Sequence, residues 1–201
     1  MQAEAGKGPC IGVLALQGLV EEHLECLSRL GIQAIPVKRK EEIEAVDAMI
    51  LPGGESTTIG KLMRDFDLMA PLRKRILQGM PVWGTCAGLI LLAKNILGEK
   101  PYLDVMDITV RRNAYGRQID SFKTKAVVPA FGENPTPFVF IRAPYIEAAG
   151  EAAEVLCELD GHIVAARQNN MLATAFHPEL TGDESVYRYF LGMVKASSME
   201  N

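Results

Sequence analysis

Three side chains in this sequence have the types and settings needed for acyl transfer through a thioester. The first is the cysteine of Gly84-Thr85-Cys86-Ala87-Gly88, which lies between an apolar run at 80–83 and a helix-like run at 89–97. A strand, a tight turn and a helix meeting at one nucleophile make a nucleophile elbow, here with Cys in the place of Ser. Small residues flank the turn because the backbone there is cramped. The predicted turn puts the sulfur at a helix N-terminus, where the macrodipole favours thiolate over thiol. The plainer alternative is a buried cysteine in an ordinary strand-loop-helix unit, since free Cys is among the most buried residue types.

The base and its orienting group follow near the C-terminus, in Phe176-His177-Pro178-Glu179-Leu180, after the apolar run 171–176. The proline pushes His177 out of helical space into an extended conformation. In an extended segment side chains two apart point the same way, which sets Glu179 beside His177. A thiol, an imidazole and a carboxylate that fixes the imidazole tautomer form a triad in the order Cys86, His177, Glu179. A third segment, Pro52-Gly53-Gly54-Glu55-Ser56-Thr57-Thr58, closes the strand-like run 48–51. Its glycines leave backbone N–H groups open to a ligand, and Ser56 or Thr57 is placed to cap the following helix. Gly54 and Ala87 are then the two N–H donors for an oxyanion. The Gly53-Gly54 peptide is also free to turn either way, because glycine tolerates both orientations. Taken alone, the segment is also a plain Pro-Gly-Gly turn.

These groups must be brought together by the elements around them. Strand-like runs at 11–16, 32–37, 48–51 and 81–83 alternate with helical runs at 19–30, 41–46, 57–66 and 72–77. That order predicts an α/β fold of three layers, a mainly parallel sheet with helices on both faces. Sites in such sheets lie beyond the carboxyl ends of the strands. Gln17, Gly53-Gly54 and Cys86 all fall just past strand ends, so three separate motifs share one edge. The second half reads as strands at 105–111, 121–128, 138–142, 155–159 and 162–166, with Asp160-Gly161 as a hairpin turn. These are antiparallel additions in the C-terminal half. A helix at 185–194 closes the chain, and 129–137 reads as an exposed loop.

The 201 residues suffice for one well-cored α/β domain, expected over 10–197, with 1–9 as a flexible tail. Hydrophobic content of 48 %, charged content of 23 % and a net charge of −4 describe a globular domain without a nucleic-acid surface. The cysteines at 10, 26, 86 and 157 have no metal or redox spacing, and Cys10, Cys26 and Cys157 read as core residues in a reducing cytoplasm. Residues 1–9 lack the apolar segment expected of a signal peptide, and no apolar run reaches membrane-spanning length.

Taken together the motifs resemble those of the class I, triad-type glutamine amidotransferases, whose fold is flavodoxin-like. The likeness is closest to the glutaminase subunits of pyridoxal 5′-phosphate synthase. It is carried by Leu16-Gln17-Gly18, the Pro52–Thr58 and Gly84–Ile90 segments, Arg112-Asn113-Ala114-Tyr115-Gly116-Arg117-Gln118, Phe140-Ile141-Arg142-Ala143-Pro144 and His177-Pro178-Glu179-Leu180. It runs from about residue 11 to 193. The chain departs from the expected pattern at Ala114-Tyr115 and at Tyr145.

The resemblance implies hydrolysis of L-glutamine to L-glutamate and ammonia, with no cofactor or metal. It places glutamine against Gly54, Glu55, Ser56, Arg112, Ile141 and Arg142, and it places Gln17 and Asn113 at a partner interface. The implied partner is a barrel-shaped synthase subunit that receives the ammonia and builds pyridoxal 5′-phosphate. The physics of the arginines agrees, because a guanidinium pairs bidentately with a carboxylate. A surface ion pair is their other reading. A stand-alone γ-glutamyl cysteine hydrolase, a non-catalytic module and a glutaminase serving another synthase are the competing functions.

Overall fold

The computed structural model describes residues 8–112 and 121–199. Its main sheet has ten strands. The parallel part runs β2 (Gln33–Val37), β1 (Cys10–Leu14), β3 (Ala48–Leu51), β4 (Val82–Thr85) and β12 (Met171–Thr174). Every residue of β3, β4 and β12 is buried, as expected of parallel strands covered on both faces. Beyond β12 the sheet continues through β11 (His162–Gln168), β9 (Tyr145–Ala149), β6 (Met106–Arg111) and β5 (Ala93–Ile96), with β10 (Glu154–Leu159) paired to β11. Pairs β12–β11, β11–β9, β9–β6 and β10–β11 are antiparallel. The mainly parallel sheet with antiparallel additions is therefore the observed architecture. A separate two-stranded ribbon is made by β7 (Ser121–Val127) and β8 (Pro135–Ile141).

Successive residues of β4 show how both faces are covered. Trp83 packs edge-on against Tyr187 and tilted against Phe190 of α6 (Ser185–Met199), and edge-on against His23 of α1 (Val20–Arg29). Gly84, pointing the other way, meets the backbone of α5 (Ala87–Leu92). Helix α1 buries His23, Cys26 and Leu27, a stripe spaced three and four apart. It stops where Gly31 takes a φ of 70°, with Ile32 N–H donating to Leu27 O and Gly31 N–H to Ser28 O. This is a Schellman cap, and it sets the chain up for β2. The remaining helices are α2 (Lys40–Glu44), α3 (Ser56–Asp65) and α4 (Met69–Leu77). Among the described residues no helix is long and apolar enough to cross a membrane.

Several local expectations are corrected. The apolar run 89–97 is not one helix, because α5 ends at Leu92 and the chain turns extended at Ala93 to pair with β6. The stretch 87–93 is buried all round and carries no helical stripe, so its sequence does not mark this break. Strand β9 is absent from the sequence reading. The segment 129–137 is not simply exposed. Phe131 is buried against Tyr189, Thr136 is buried, and β8 already begins at Pro135. Helix α4 starts earlier than the pattern suggests, with Pro71 tolerated in its first turn.

Candidate active site

Cys86 has φ 49° and ψ −102°, a backbone conformation that side-chain-bearing residues rarely adopt. It is held there from both sides. Its N–H donates to Thr174 O at 2.8 Å, and the residue itself caps α5. The flanking glycines are obligatory. A Cβ on Gly84 would stand 2.4 Å from the Gly88 carbonyl, and one on Gly88 would stand 1.9 Å from Leu51 O. The elbow predicted from Gly84–Gly88 is therefore present, and α5 leaves it directly over β3 and β4.

Strand pairing explains why three distant motifs meet. Strand β4 lies between β3, in register Leu51↔Gly84, and β12, in register Thr174↔Thr85. The loop after β3 carries Gly53-Gly54, and the segment after β12 carries His177. Both therefore emerge beside Cys86. Gly53 separates them so tightly that a Cβ there would lie 2.4 Å from the His177 ring and 3.5 Å from Cys86 Cβ.

His177 Nδ1 is 2.7 Å from Glu179 Oε1, and its ring is within hydrogen-bonding reach of the Cys86 thiol. The pairing of His177 with Glu179 is as expected, but its route differs. His177 is extended, with φ −110° and ψ 85°, whereas Glu179 sits in a 3₁₀ turn, Pro178–Leu180, that curls its carboxylate back beneath the ring. Both side chains are buried. Burial pushes the imidazole down, but the Cys86 and Glu179 groups beside it more than offset this and hold it up at about 10. Burial likewise pushes the Glu179 carboxyl up, and His23 and His177 outweigh it, so the carboxylate lies below its ordinary range. The imidazole thus lies between a sulfur and a carboxylate, the placing that a thiol nucleophile and its base require.

Cys86 and His177 open onto a cleft of about 380 Å³, a size suited to a small metabolite. Gln17, Gly54, Glu55, Ser56 and Ala87 line it, and Arg112, Ile141 and Arg142 close its far side. Glu179 stands behind His177 and does not line the cleft. Asn113 lies outside the described residues, as do Ala114 and Tyr115. Gln17 reaches across to accept the Glu55 N–H with its Oε1 at 2.8 Å, and Leu19 N–H donates to Gly53 O at 3.0 Å. In a trans peptide the Gly54 N–H points away from that carbonyl. The Ala87 N–H, in the first turn of α5, has no intrahelical acceptor.

Other expectations resolve differently. Neither Ser56 nor Thr57 caps α3, whose N-cap is Glu55 without a side-chain bond. Thr57 Oγ1 instead donates to Glu55 Oε1. Arg112 is in the cleft and also ion-paired, with Nη2 on Glu55 at 2.7 Å and Nη1 on Glu99 at 2.5 Å. Arg112 is thus an ion-paired residue that also lines the cleft. Arg142 is exposed just past β8, with φ 43°. Tyr145 does not line the cleft and stacks on His162, ring centroids 4.1 Å apart.

The sequence reading missed Glu99 and His23. Glu99 carries no local signal, because its role arises only from the fold. His23 did carry one, as an ionisable residue in the buried stripe of an amphipathic helix.

The chain matches the SNO glutamine amidotransferase family over residues 13–196. It is 54 % identical over 185 residues to a protein of Carboxydothermus hydrogenoformans named pyridoxal 5′-phosphate synthase subunit PdxT, covering 92 % of this chain and 97 % of that one. A protein of the same name from Herpetosiphon aurantiacus is 56 % identical, with 91 % and 99 % covered. A crystal structure described as a glutamine amidotransferase superposes with a TM-score of 0.87 at 49 % identity, covering 92 % of this chain and 98 % of that one. A putative GMP synthase subunit from Thermoplasma acidophilum, 18 % identical with a TM-score of 0.68 over 96 % of this chain and 97 % of that one, shares the fold. On the family match and these relatives together, the chain belongs to the SNO glutamine amidotransferase family.

Proposed function

We propose that this chain hydrolyses L-glutamine to L-glutamate and ammonia through Cys86, His177 and Glu179, and passes the ammonia to a synthase subunit that makes pyridoxal 5′-phosphate. The observation that carries this is the strained Cys86 elbow facing the His177–Glu179 pair in one cleft. The sulfur attacks the side-chain amide carbon, and the developing oxyanion takes N–H bonds from Gly54 and Ala87. His177 gives its proton to the departing ammonia, leaving a thioester on Cys86. It then takes a proton from water, which attacks the thioester and releases glutamate. Glu179 keeps the imidazole oriented throughout. Acyl transfer by this route needs no cofactor or metal. At the far end of the cleft Arg112 faces the substrate carboxylate, Glu55 its ammonium, and Ser56, Ile141 and Arg142 complete the enclosure.

Ammonia at neutral pH is largely ammonium and no longer nucleophilic, so a direct hand-over to a partner is chemically sensible. The relatives above are named as subunits of pyridoxal 5′-phosphate synthase, which supports a synthase partner; we take that partner to be barrel-shaped and the setting to be cytoplasmic. We read 10–197 as one amidotransferase domain, with Gln17 and Asn113 at the interface. The Gln17 loop is bonded to the oxyanion segment at two points, Leu19 to Gly53 and Gln17 to Glu55. A partner docking on that loop therefore acts directly on the Gly53-Gly54 peptide.

The test is release of glutamate and ammonia from glutamine by wild-type chain and Cys86→Ala, each with and without the synthase. Complete loss in Cys86→Ala at unchanged fold is expected. Persistent turnover would remove Cys86 from the mechanism. Equal wild-type activity with and without the synthase, unaffected by Gln17→Ala, would point to a stand-alone hydrolase instead.

A further inference from the structure

Behind the cleft, three elements converge on one buried side chain. His23 on α1 is completely buried, unlike a typical helix-surface histidine. Its Nδ1 lies 2.7 Å from the Tyr187 hydroxyl on α6, and its Nε2 lies 3.3 Å from Thr85 Oγ1 on β4. The same Nε2 stands 3.7 Å from Glu179 Oε1, the oxygen that faces His177. Tyr187 is itself almost fully buried and packed edge-on against Trp83. The other carboxylate oxygen, Glu179 Oε2, is buried without a hydrogen-bond partner among the described residues.

The tautomer of His23 follows from these neighbours. Were its proton on Nδ1, a nitrogen lone pair would face the Glu179 carboxylate in a buried setting, with only the Thr85 hydroxyl, 3.3 Å away, to donate to it. With the proton on Nε2, the Tyr187 hydroxyl donates to Nδ1, and Nε2–H is directed at Thr85 and Glu179. Burial is the main influence on His23 and pushes it down, which disfavours a second cation beside His177. An Nε2–H bonded to Thr85 and standing 3.7 Å from Glu179 Oε1 presents the positive end of its dipole to the carboxylate.

Building on the glutaminase reading, we propose that His23 is a positioning residue for the reaction, fixed in its Nε2–H tautomer by Tyr187 and acting through Glu179 on His177. The order of contact is Tyr187, His23, Glu179, His177, Cys86, so the orienting carboxylate is itself oriented. An unsupported buried carboxylate can swing between its two oxygens, and each swing would release the His177 ring from its productive angle. Packing alone does not account for His23, because an apolar residue of similar size would fill the same space without placing a donor against Glu179.

The test compares His23→Leu, His23→Gln and Tyr187→Phe with wild type, all at matched folded fraction. Leu keeps the volume and removes the donor, whereas Gln restores an N–H near the Nε2 position. Tyr187→Phe removes only the hydroxyl that fixes the tautomer. Two readouts are taken: kcat and KM for glutamine, and the low-field proton resonance of the His177–Glu179 hydrogen bond in the substrate-free chain. His23→Leu is expected to lower kcat by about 10- to 100-fold, the range seen when partners behind reactive ligands are removed. KM should be unchanged and the resonance shifted upfield or lost. His23→Gln should recover most of the turnover and the resonance. Tyr187→Phe should fall between wild type and His23→Leu. Wild-type kcat and resonance in His23→Leu would overturn the proposal, as would equal losses in the Leu and Gln variants. If neither His23 variant folds, Tyr187→Phe decides, and an unchanged kcat and resonance there overturns it. Should the wild-type chain turn over no glutamine, the glutaminase reading fails, while the resonance still shows whether His23 governs the Glu179–His177 pair.

Discussion

At the thiol end of the cleft, Cys86 and His177 extend from β4 and β12, which pair directly in the middle of the main sheet. At the opposite end, Arg112 follows β6 near the far side of that sheet, and Arg142 follows β8 in the separate ribbon. The thiol end is buried, set by backbone hydrogen bonds and by glycines that admit no side chain. The charged end is partly open and set by long side chains, with the Arg112 guanidinium shared between Glu55 and Glu99. The contrast matches the two tasks. Bond-making needs reacting atoms within a few tenths of an ångström, which a sheet supplies. Capture of a zwitterion needs charges in the right places, and flexible arms supply those adequately.

The largest effects should therefore come from the thiol end and appear in kcat. His177→Ala removes both the acid that protonates ammonia and the base that activates water, and about a 10⁴-fold or greater loss is expected. Glu179→Gln leaves nucleophile and base in place and should lose less. The reverse ranking, measured as kcat at equal folded fraction, would make Glu179 the proton carrier and break the assigned roles.

How much of each end could be read from sequence follows the same divide. The Cys86 elbow and the pairing of His177 with Glu179 are local, so composition at fixed spacing reveals them. Gly84 and Gly88 are visible because no other residue fits where α5 crosses β3 and β4. The parallel order of the first half was legible because strands 48–51 and 82–85 are short apolar runs divided by helical stripes. The charged end was reached only through family resemblance, since nothing local marks Arg112 out from other arginines. Its pairing with Glu99, thirteen positions away, depends on how β5 and β6 close. The break between α5 and β5 was hidden by a stretch, 87–93, that is buried on every side, and the 3₁₀ turn at Glu179 by a proline compatible with either backbone course. His23 was visible as a residue but not as a role, because Thr85, Tyr187 and Glu179 come to it from three distant segments.

Substitutions at the charged end should move KM and leave kcat nearly alone. Arg112→Gln removes a charge-assisted bond to the substrate carboxylate, and such bonds are worth about 1.5–3 kcal/mol, or about 10- to 150-fold in KM. It also leaves Glu55 and Glu99 facing each other without a cation. Arg142, being exposed, should cost less, about tenfold or below when changed to Gln. Salt sharpens this distinction: added salt should raise the wild-type KM, and this dependence should be weaker in Arg112→Gln. A kcat loss in Arg112→Gln as large as in Glu179→Gln would mean that the two ends are not separable.

The smallest expected effect is on stability, and the thiol end gives it a pH dependence of its own. His177 is held up at about 10 from 6.5, because Cys86 and Glu179 outweigh its burial. A raised folded-state value contributes stability that is full below 6.5 and is lost as pH rises through about 10. Glu179 is held below its ordinary 4.5, because His23 and His177 outweigh its burial. A lowered value contributes stability that is present above 4.5 and lost as pH falls through the folded-state value. The two windows overlap between 4.5 and 6.5, where the pair should stabilise the fold most. Denaturant unfolding of wild type and Glu179→Gln from pH 4 to pH 10 measures this directly. The difference between them should be greatest in that overlap and shrink steadily above it. The same comparison for Arg112→Gln should show no such decline between pH 6.5 and pH 10, because a guanidinium keeps its proton throughout that range. A Glu179→Gln difference that stays flat from pH 6 to pH 10 would mean that His177 is neutral in the folded chain.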